Sequence, residues 1–129
     1  VMRTNDCLNN WKYCVPDPNT MNNQPLGQDI VRENLRQVCL FRQLVNHSVA
    51  DVWWNYVASF ERDCSLPGQW ATTDCGDSII RRLGLDLTDV RACMNAAPLS
   101  VGATNDHPVI EEEMRAFADA GNPFLPTVI

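Results

Sequence analysis

The six cysteines at positions 7, 14, 39, 64, 75 and 93 limit this chain more than any other feature. An even number, well spread and lacking any Cys-x-x-Cys pair, reads as a disulfide framework made in an oxidising compartment. Structural zinc usually takes its ligands in close pairs, yet the nearest two cysteines, Cys7 and Cys14, have six residues between them. Three bridges are therefore expected. Cys64 and Cys75 flank one short connection between helices and both fall on core faces, which favours their pairing. Cys7–Cys14 and Cys39–Cys93 would complete the set, within the fifteen connectivities that six cysteines allow.

A chain of 129 residues suits one domain and can bury a real core. With 45% hydrophobic and 20% charged residues it is too apolar to stay disordered. No stretch approaches the ~20 apolar residues of a membrane span, and no basic-then-apolar leader opens the chain. The ending FLPTVI is apolar without a polar tail. Residues 1–129 are accordingly expected to be a single disulfide-rich helical domain from a longer luminal protein.

Periodicity fills in the elements. Residues 1 to 28 are rich in Asn and Pro, with Pro16, Pro18 and Pro25 opposing helix, so an extended or turn-rich segment held by Cys7 and Cys14 is expected. From Asp29 to about Asn46, Ile30, Val31, Leu35, Val38, Cys39, Phe41 and Val45 recur at spacings of three and four, which predicts a long amphipathic helix. Ser48 and Asp51 form a capping-box-like pair ahead of a second helix. There Val52, Trp53, Tyr56, Val57, Phe60 and Cys64 line one face. Trp54 falls about 100° from Trp53, so Trp53 is the core candidate and Trp54 the flanking one.

Pro67-Gly68 ends that helix. A third is expected from about Thr73 to Leu83, with Cys75, Ile79 and Leu83 on one face and Gly84 as its stop. A short fourth covers about Thr88 to Asn95, carrying Val90, Cys93 and Met94. A fifth begins at Pro108 in the first helical position, bears Glu111, Glu112 and Glu113 in its first turns, and ends at Gly121. The β-branched, apolar NPFLPTVI is expected to begin a strand. The fold class is mainly α: four to five short helices stapled by disulfides, with almost no strand.

Little in this pattern suggests catalysis. The net charge is −6 and the basic residues are scattered, which disfavours nucleic acid. The tightest basic pair, Arg81-Arg82, reads as a solvated helix edge. His47 and His107 stand in no nucleophile motif; His47 lies in a glycosylation sequon and His107 precedes a helix. Glu111, Glu112 and Glu113 point about 100° apart in succession and cannot converge on one ion, so they are read as compensating the helix dipole. No glycine-rich phosphate loop is present. No cofactor and no metal are implied. Asn46-His47-Ser48 places an N-glycan on Asn46 in a eukaryotic secretory route, on a solvent-facing junction between two helices.

Read in order, YCVPDP, DIVRENLRQVC, NHS, VWWNYVASFERDC, DCGDSIIRRLGLD, VRACM, HPVIEEE and LPT resemble the central luminal region of the plant vacuolar sorting receptors. The resemblance runs from about Cys7 to Thr127, and the double-tryptophan block and cysteine spacing are its most specific parts. It implies a type I membrane receptor whose luminal part joins a protease-associated domain, this region and calcium-binding EGF-like repeats. Such a receptor carries soluble cargo to a vacuole. It also implies a thioredoxin-like fold with a helical insertion, of which this chain would be mostly the insertion. Pro126 then matches the position of a thioredoxin-like cis-proline. The other domains, the membrane span and the first strand and helix of the thioredoxin-like core are missing. At Arg3 the family usually has a further cysteine, whose partner would lie upstream, leaving the six present to pair among themselves.

The expected function is a non-enzymatic luminal binding module, taking part in cargo recognition or receptor architecture. Its partners would be proteins: soluble cargo, neighbouring receptor domains or assembly subunits. Membrane association would come only through the missing parts, and the setting is the secretory or endomembrane lumen or the cell exterior. A structural accessory subunit of a larger luminal or extracellular assembly is the alternative. Redox catalysis, suggested by the thioredoxin-like kinship alone, lacks the Cys-x-x-Cys it would need. Trp53, Tyr56, Val57, Phe60 and Cys64 are expected to form a core wall, with Trp54 at its edge as the partner contact.

Overall fold

A computed structural model describes residues 6–15, 26–46, 51–64 and 73–119. The Ser48 cap, the Pro67-Gly68 break, the C-terminal strand and Pro126 lie outside those residues. Within them the fold is mainly α. A two-strand hairpin, β1 (Cys7–Leu8) and β2 (Tyr13–Cys14), precedes five helices: α1 (Gly27–Asn46), α2 (Asp51–Cys64), α3 (Thr73–Arg82), α4 (Leu87–Met94) and α5 (Pro108–Asp119).

Helix α1 is the axis of the domain. The hairpin, α2, α4 and α5 all pack on it, while α3 packs on α2 and α4. That position explains a departure from the expected helix face. Helical spacing puts Phe41 and Val45 on the apolar stripe, but they are 43% and 46% exposed, while Leu40 and Leu44 are buried. A helix surrounded on several sides buries most of its circumference, polar positions included. Glu33, Asn34, Arg36 and Gln37 are all buried.

On α2 the expected wall forms: Trp53, Tyr56, Phe60 and Cys64 are buried and Val57 packs against them. On α3 Ile79 is buried, as expected, but so are Ile80 and Asp77. Gly84, at φ +73°, follows α3 in the left-handed region that favours glycine. The Asp86 carboxylate then accepts from the Asp89 N–H at 3.3 Å and caps α4. Pro108 opens α5, where its missing N–H costs nothing.

Three bridges hold these parts together: Cys7–Cys14 across the hairpin, Cys39–Cys93 between α1 and α4, and Cys64–Cys75 between α2 and α3. The hairpin pairs Cys7 with Cys14 and Leu8 with Tyr13. Its tip turns through three consecutive left-handed residues, Asn9, Asn10 and Trp11, at φ 53°, 56° and 69°. Asparagine tolerates that region; tryptophan adopts it only under constraint. The constraint is a clamp on the loop between α4 and α5. The Asn9 N–H donates to the Ser100 carbonyl at 2.6 Å and the Asn10 N–H to that of Val101 at 2.9 Å. The Asn9 side-chain amide also reaches the carbonyls of Pro98 and Asn105, and accepts from the Ser100 N–H.

Candidate functional site

The double tryptophan divides between inside and outside. Trp53 is 7% exposed, and its indole N–H donates to the Gln37 carbonyl on α1 at 2.8 Å. That bond satisfies the one polar atom the ring buries. Trp54, one residue on, is 62% exposed. Its ring meets Trp53 edge-on, with centroids 4.7 Å apart, and Phe41 meets Trp53 from the other helix at 5.5 Å. Phe41 and Trp54 thus flank one buried ring, with exposed Val45 one helical turn from Phe41. The result is an exposed apolar shelf where α1 ends and α2 begins.

Asn46 is the last residue of α1, next to this shelf in sequence. Its side chain, and all of His47 and Ser48, lie outside the described residues. Among the described residues, the members of the shelf, Phe41, Val45 and Trp54, offer packing area and carry no nucleophile, acid or metal ligand.

The ionisable groups are gathered elsewhere, in a buried cluster joining α1 to α2, α3 and α4. Glu33 accepts from Tyr56 Oη at 2.8 Å, from Arg36 Nη1 at 2.8 Å and from Gln37 Nε2 at 3.2 Å. Arg36 Nη2 lies 3.4 Å from Asp77 Oδ1, and Arg91 Nη2 donates to Asp77 Oδ2 at 2.6 Å. Burial pushes the Glu33 carboxyl up to about 7, against the pull of the Arg36 guanidinium and of its hydrogen bonds. Tyr56 is raised by its own burial and by the Glu33 carboxylate, and the carboxylates facing Arg36 raise it despite its burial. Gly76 makes room for the cluster: a Cβ there would overlap the Arg36 guanidinium and come within 2.9 Å of Tyr56 Oη.

Asp77 and Arg91 reach a groove of about 420 Å3 floored by Leu35, Met94 and Leu99. Glu33 and Arg36, by contrast, are only 3% and 6% exposed at their side chains. The Glu33 carboxyl is taken up by contacts within α1 and with α2.

The two remaining sequence candidates are engaged in contacts within the fold. His107 is completely buried, which its place before a helix had not suggested. Its Nε2 lies 2.8 Å from the Met94 carbonyl, and its Nδ1 accepts from the Val109 N–H at 3.3 Å, so both ring nitrogens are occupied. Tyr13 Oη accepts from the His107 N–H at 2.8 Å and donates to Glu111 at 2.7 Å. Burial, helped by the Glu111 carboxylate, pushes the Tyr13 hydroxyl up to about 12. Glu112 and Glu113 each lie 3.5 Å from Arg42. All six cysteines are bridged. Among the described residues, no group of three His, Cys, Asp or Glu is placed to hold a metal, and no helix is long and apolar enough to cross a membrane.

Sequence reasoning missed Glu33, Arg36, Asp77 and Gly76. A signal was present in α1, where Glu33, Gln37, Leu40 and Leu44 recur at spacings of four, three and four, and so put polar groups on the face of two buried leucines.

The family model for the vacuolar sorting receptor thioredoxin-like domain matches residues 2–129. Vacuolar-sorting receptor 1 of Pisum sativum is 33% identical over 128 residues, 95% of this chain and 20% of the receptor. Vacuolar-sorting receptors 4 and 3 of Arabidopsis thaliana are each 34% identical over the same shares. The chain therefore spans about a fifth of the length of these curated relatives.

Proposed function

The chain belongs to the vacuolar sorting receptor family through its thioredoxin-like domain, and from that premise we infer that it is a non-enzymatic protein-binding module of a sorting receptor. It works in the lumen of the secretory or endomembrane route, takes part in cargo recognition or receptor architecture, and reaches the membrane only through other parts of the receptor. The match over residues 2–129 carries this reading. The bridged cysteines agree with an oxidising lumen, and the enclosed Glu33 and doubly bonded His107 agree with structural roles.

The contact surface on this reading is the aromatic shelf, with Trp54 at its centre. A large, rigid ring that is mostly exposed supplies contact area at low entropic cost. The receptor polypeptide purified from its natural source should retain a luminal protein partner, and Trp54→Ala should weaken that association while the domain stays folded. A receptor that binds its partners equally well without the ring would defeat the assignment. In a eukaryotic secretory route Asn46, the last residue of α1, is the expected N-glycan acceptor. Treatment with an amide-cleaving glycosidase should convert Asn46 to Asp and lower the mass of native material; an unchanged mass would remove both the glycan and the compartment inferred from it.

A further inference from the structure

The groove between α1 and α4 joins an apolar floor to more positive than negative charge. Leu35, Met94 and Leu99 floor its volume of about 420 Å3, and Arg32, Asp77 and Arg91 also line it. That volume lies within the ~300–1,000 Å3 of ordinary ligand clefts. Two guanidiniums beside one carboxylate run against the trend of a chain whose net charge is −6.

The carboxylate is already engaged. Asp77 Oδ2 accepts from Arg91 Nη2 at 2.6 Å and from Nε at 3.3 Å, and Asp77 Oδ1 lies 3.4 Å from Arg36 Nη2. Asp77 thus positions Arg91 at the groove wall, yet the Arg91 side chain is 49% exposed and its Nη1 has no partner among the described residues. Arg32 is held more loosely. Its side chain is 42% exposed, and Asp29 Oδ1 is 3.8 Å from its Nη1 while the other Asp29 oxygen accepts from the Leu26 N–H.

A guanidinium offers its donors in a planar fork that fits a carboxylate, in bonds roughly twice as strong as neutral ones. The floor calls for aliphatic surface beside that carboxylate. We propose that this groove binds a segment of a partner protein that carries an acidic side chain next to a bulky aliphatic one, the carboxylate on Arg32 and Arg91 and the aliphatic group on Leu35, Met94 and Leu99. A bare inorganic anion would leave the floor wet, and a wholly aliphatic segment would leave Arg32 with only its long contact to Asp29. The inference rests on the protein-binding reading above but on a separate surface, since no residue of the aromatic shelf lines the groove.

Fluorescence anisotropy on the purified receptor polypeptide tests it, with an end-labelled peptide carrying a single glutamate among leucines as the probe. The same peptide with glutamine in place of glutamate should bind about tenfold more weakly, the loss of one charge-assisted bond. Arg32→Gln should weaken the glutamate peptide by a similar factor, leave the glutamine peptide nearly unchanged and keep the helical signal. Ala97→Phe, which narrows the groove without touching either guanidinium, should weaken both peptides, and Trp54→Ala should weaken neither. No binding of the glutamate peptide at millimolar concentration, equal binding of the two peptides, a glutamate preference that survives Arg32→Gln, or displacement of the peptide by equimolar octanoate or inorganic phosphate would overturn the proposal. Those results leave the shelf assignment standing, because that one fails only if Trp54→Ala spares the association with the natural partner.

Discussion

Where α2 leans on α1 the contact is aromatic: Trp53 against Phe41, with Tyr56 and Phe60 continuing the wall. Elsewhere on the same helix a charged relay runs from Arg36 to Asp77 of α3 and on to Arg91 of α4, beside the Cys39–Cys93 bridge that ties α4 to α1 directly. The two regions meet at Tyr56, whose ring belongs to the wall and whose hydroxyl belongs to the charge cluster. Apolar packing tolerates small shifts, because dispersion and burial have little directional demand. A buried ion pair does not, because any group left without a partner keeps its full desolvation cost. The aromatic side thus contributes undirected burial, and the charged side constrains how α3 is oriented against α1 and α4.

This contrast ranks the effects of substitution. Trp53→Ala removes the largest ring of the wall and its indole bond to the Gln37 carbonyl; unfolding should become easier by about 3–5 kcal/mol. Denaturant titration would show it as a fall in midpoint with little change in slope. A loss under about 1 kcal/mol would mean that the wall does not carry the packing assigned to it.

The charged side should respond to pH. The Glu33 carboxyl is raised from 4.5 to about 7, chiefly by burial. Its contribution to stability is therefore fully present below pH 4.5 and lost as pH rises through about 7. The unfolded chain gives up the proton first, so stability falls with pH across that window. About 3 kcal/mol is involved, from the free-energy equivalent of a pKa unit. Glu33→Gln should remove that slope, and the difference between the two proteins across pH 4.5–8 isolates it from other carboxylates. A difference that stays constant with pH would show that Glu33 ionises freely.

Gly76→Ala tests the same cluster sterically. Its Cβ would displace Arg36 and press on Tyr56 Oη, at a cost of about 1–3 kcal/mol. Ordinary helix propensity predicts the opposite sign, because Ala stabilises a helix interior relative to Gly. The sign of the change therefore decides whether Arg36 occupies that space.

Much of the aromatic side was legible in the sequence, and little of the charged side was. The spacing from Trp53 to Cys64 states a helical face outright, and the 100° step to Trp54 puts the second ring off it. Helix ends at Gly84 and Pro108 follow from backbone chemistry alone. In contrast, Glu33 and Arg36 look in sequence like a solvated i,i+3 pair; only their enclosure by α2 and α3 makes them interior. The same enclosure hid Leu40 and Leu44 behind Phe41 and Val45, since a helix buried on several sides has no single stripe. The Asn9 side chain reaches Asn105, 96 residues away, and the His107 ring reaches Met94, 13 residues away, and no local pattern announces such contacts.

Trp54 is predicted to have the smallest effect on stability and the largest on association. Its exposure should limit the loss on Trp54→Ala to about 0.5 kcal/mol. The most direct measurement is a paired one, with unfolding free energies of Trp53→Ala and Trp54→Ala set beside the partner association of each folded variant. The division of the shelf predicts a large loss of stability for Trp53→Ala alone, and a loss of association for Trp54→Ala at nearly unchanged stability. If Trp54→Ala destabilised the domain as much as Trp53→Ala, both rings would belong to the core and the shelf would not be a contact surface.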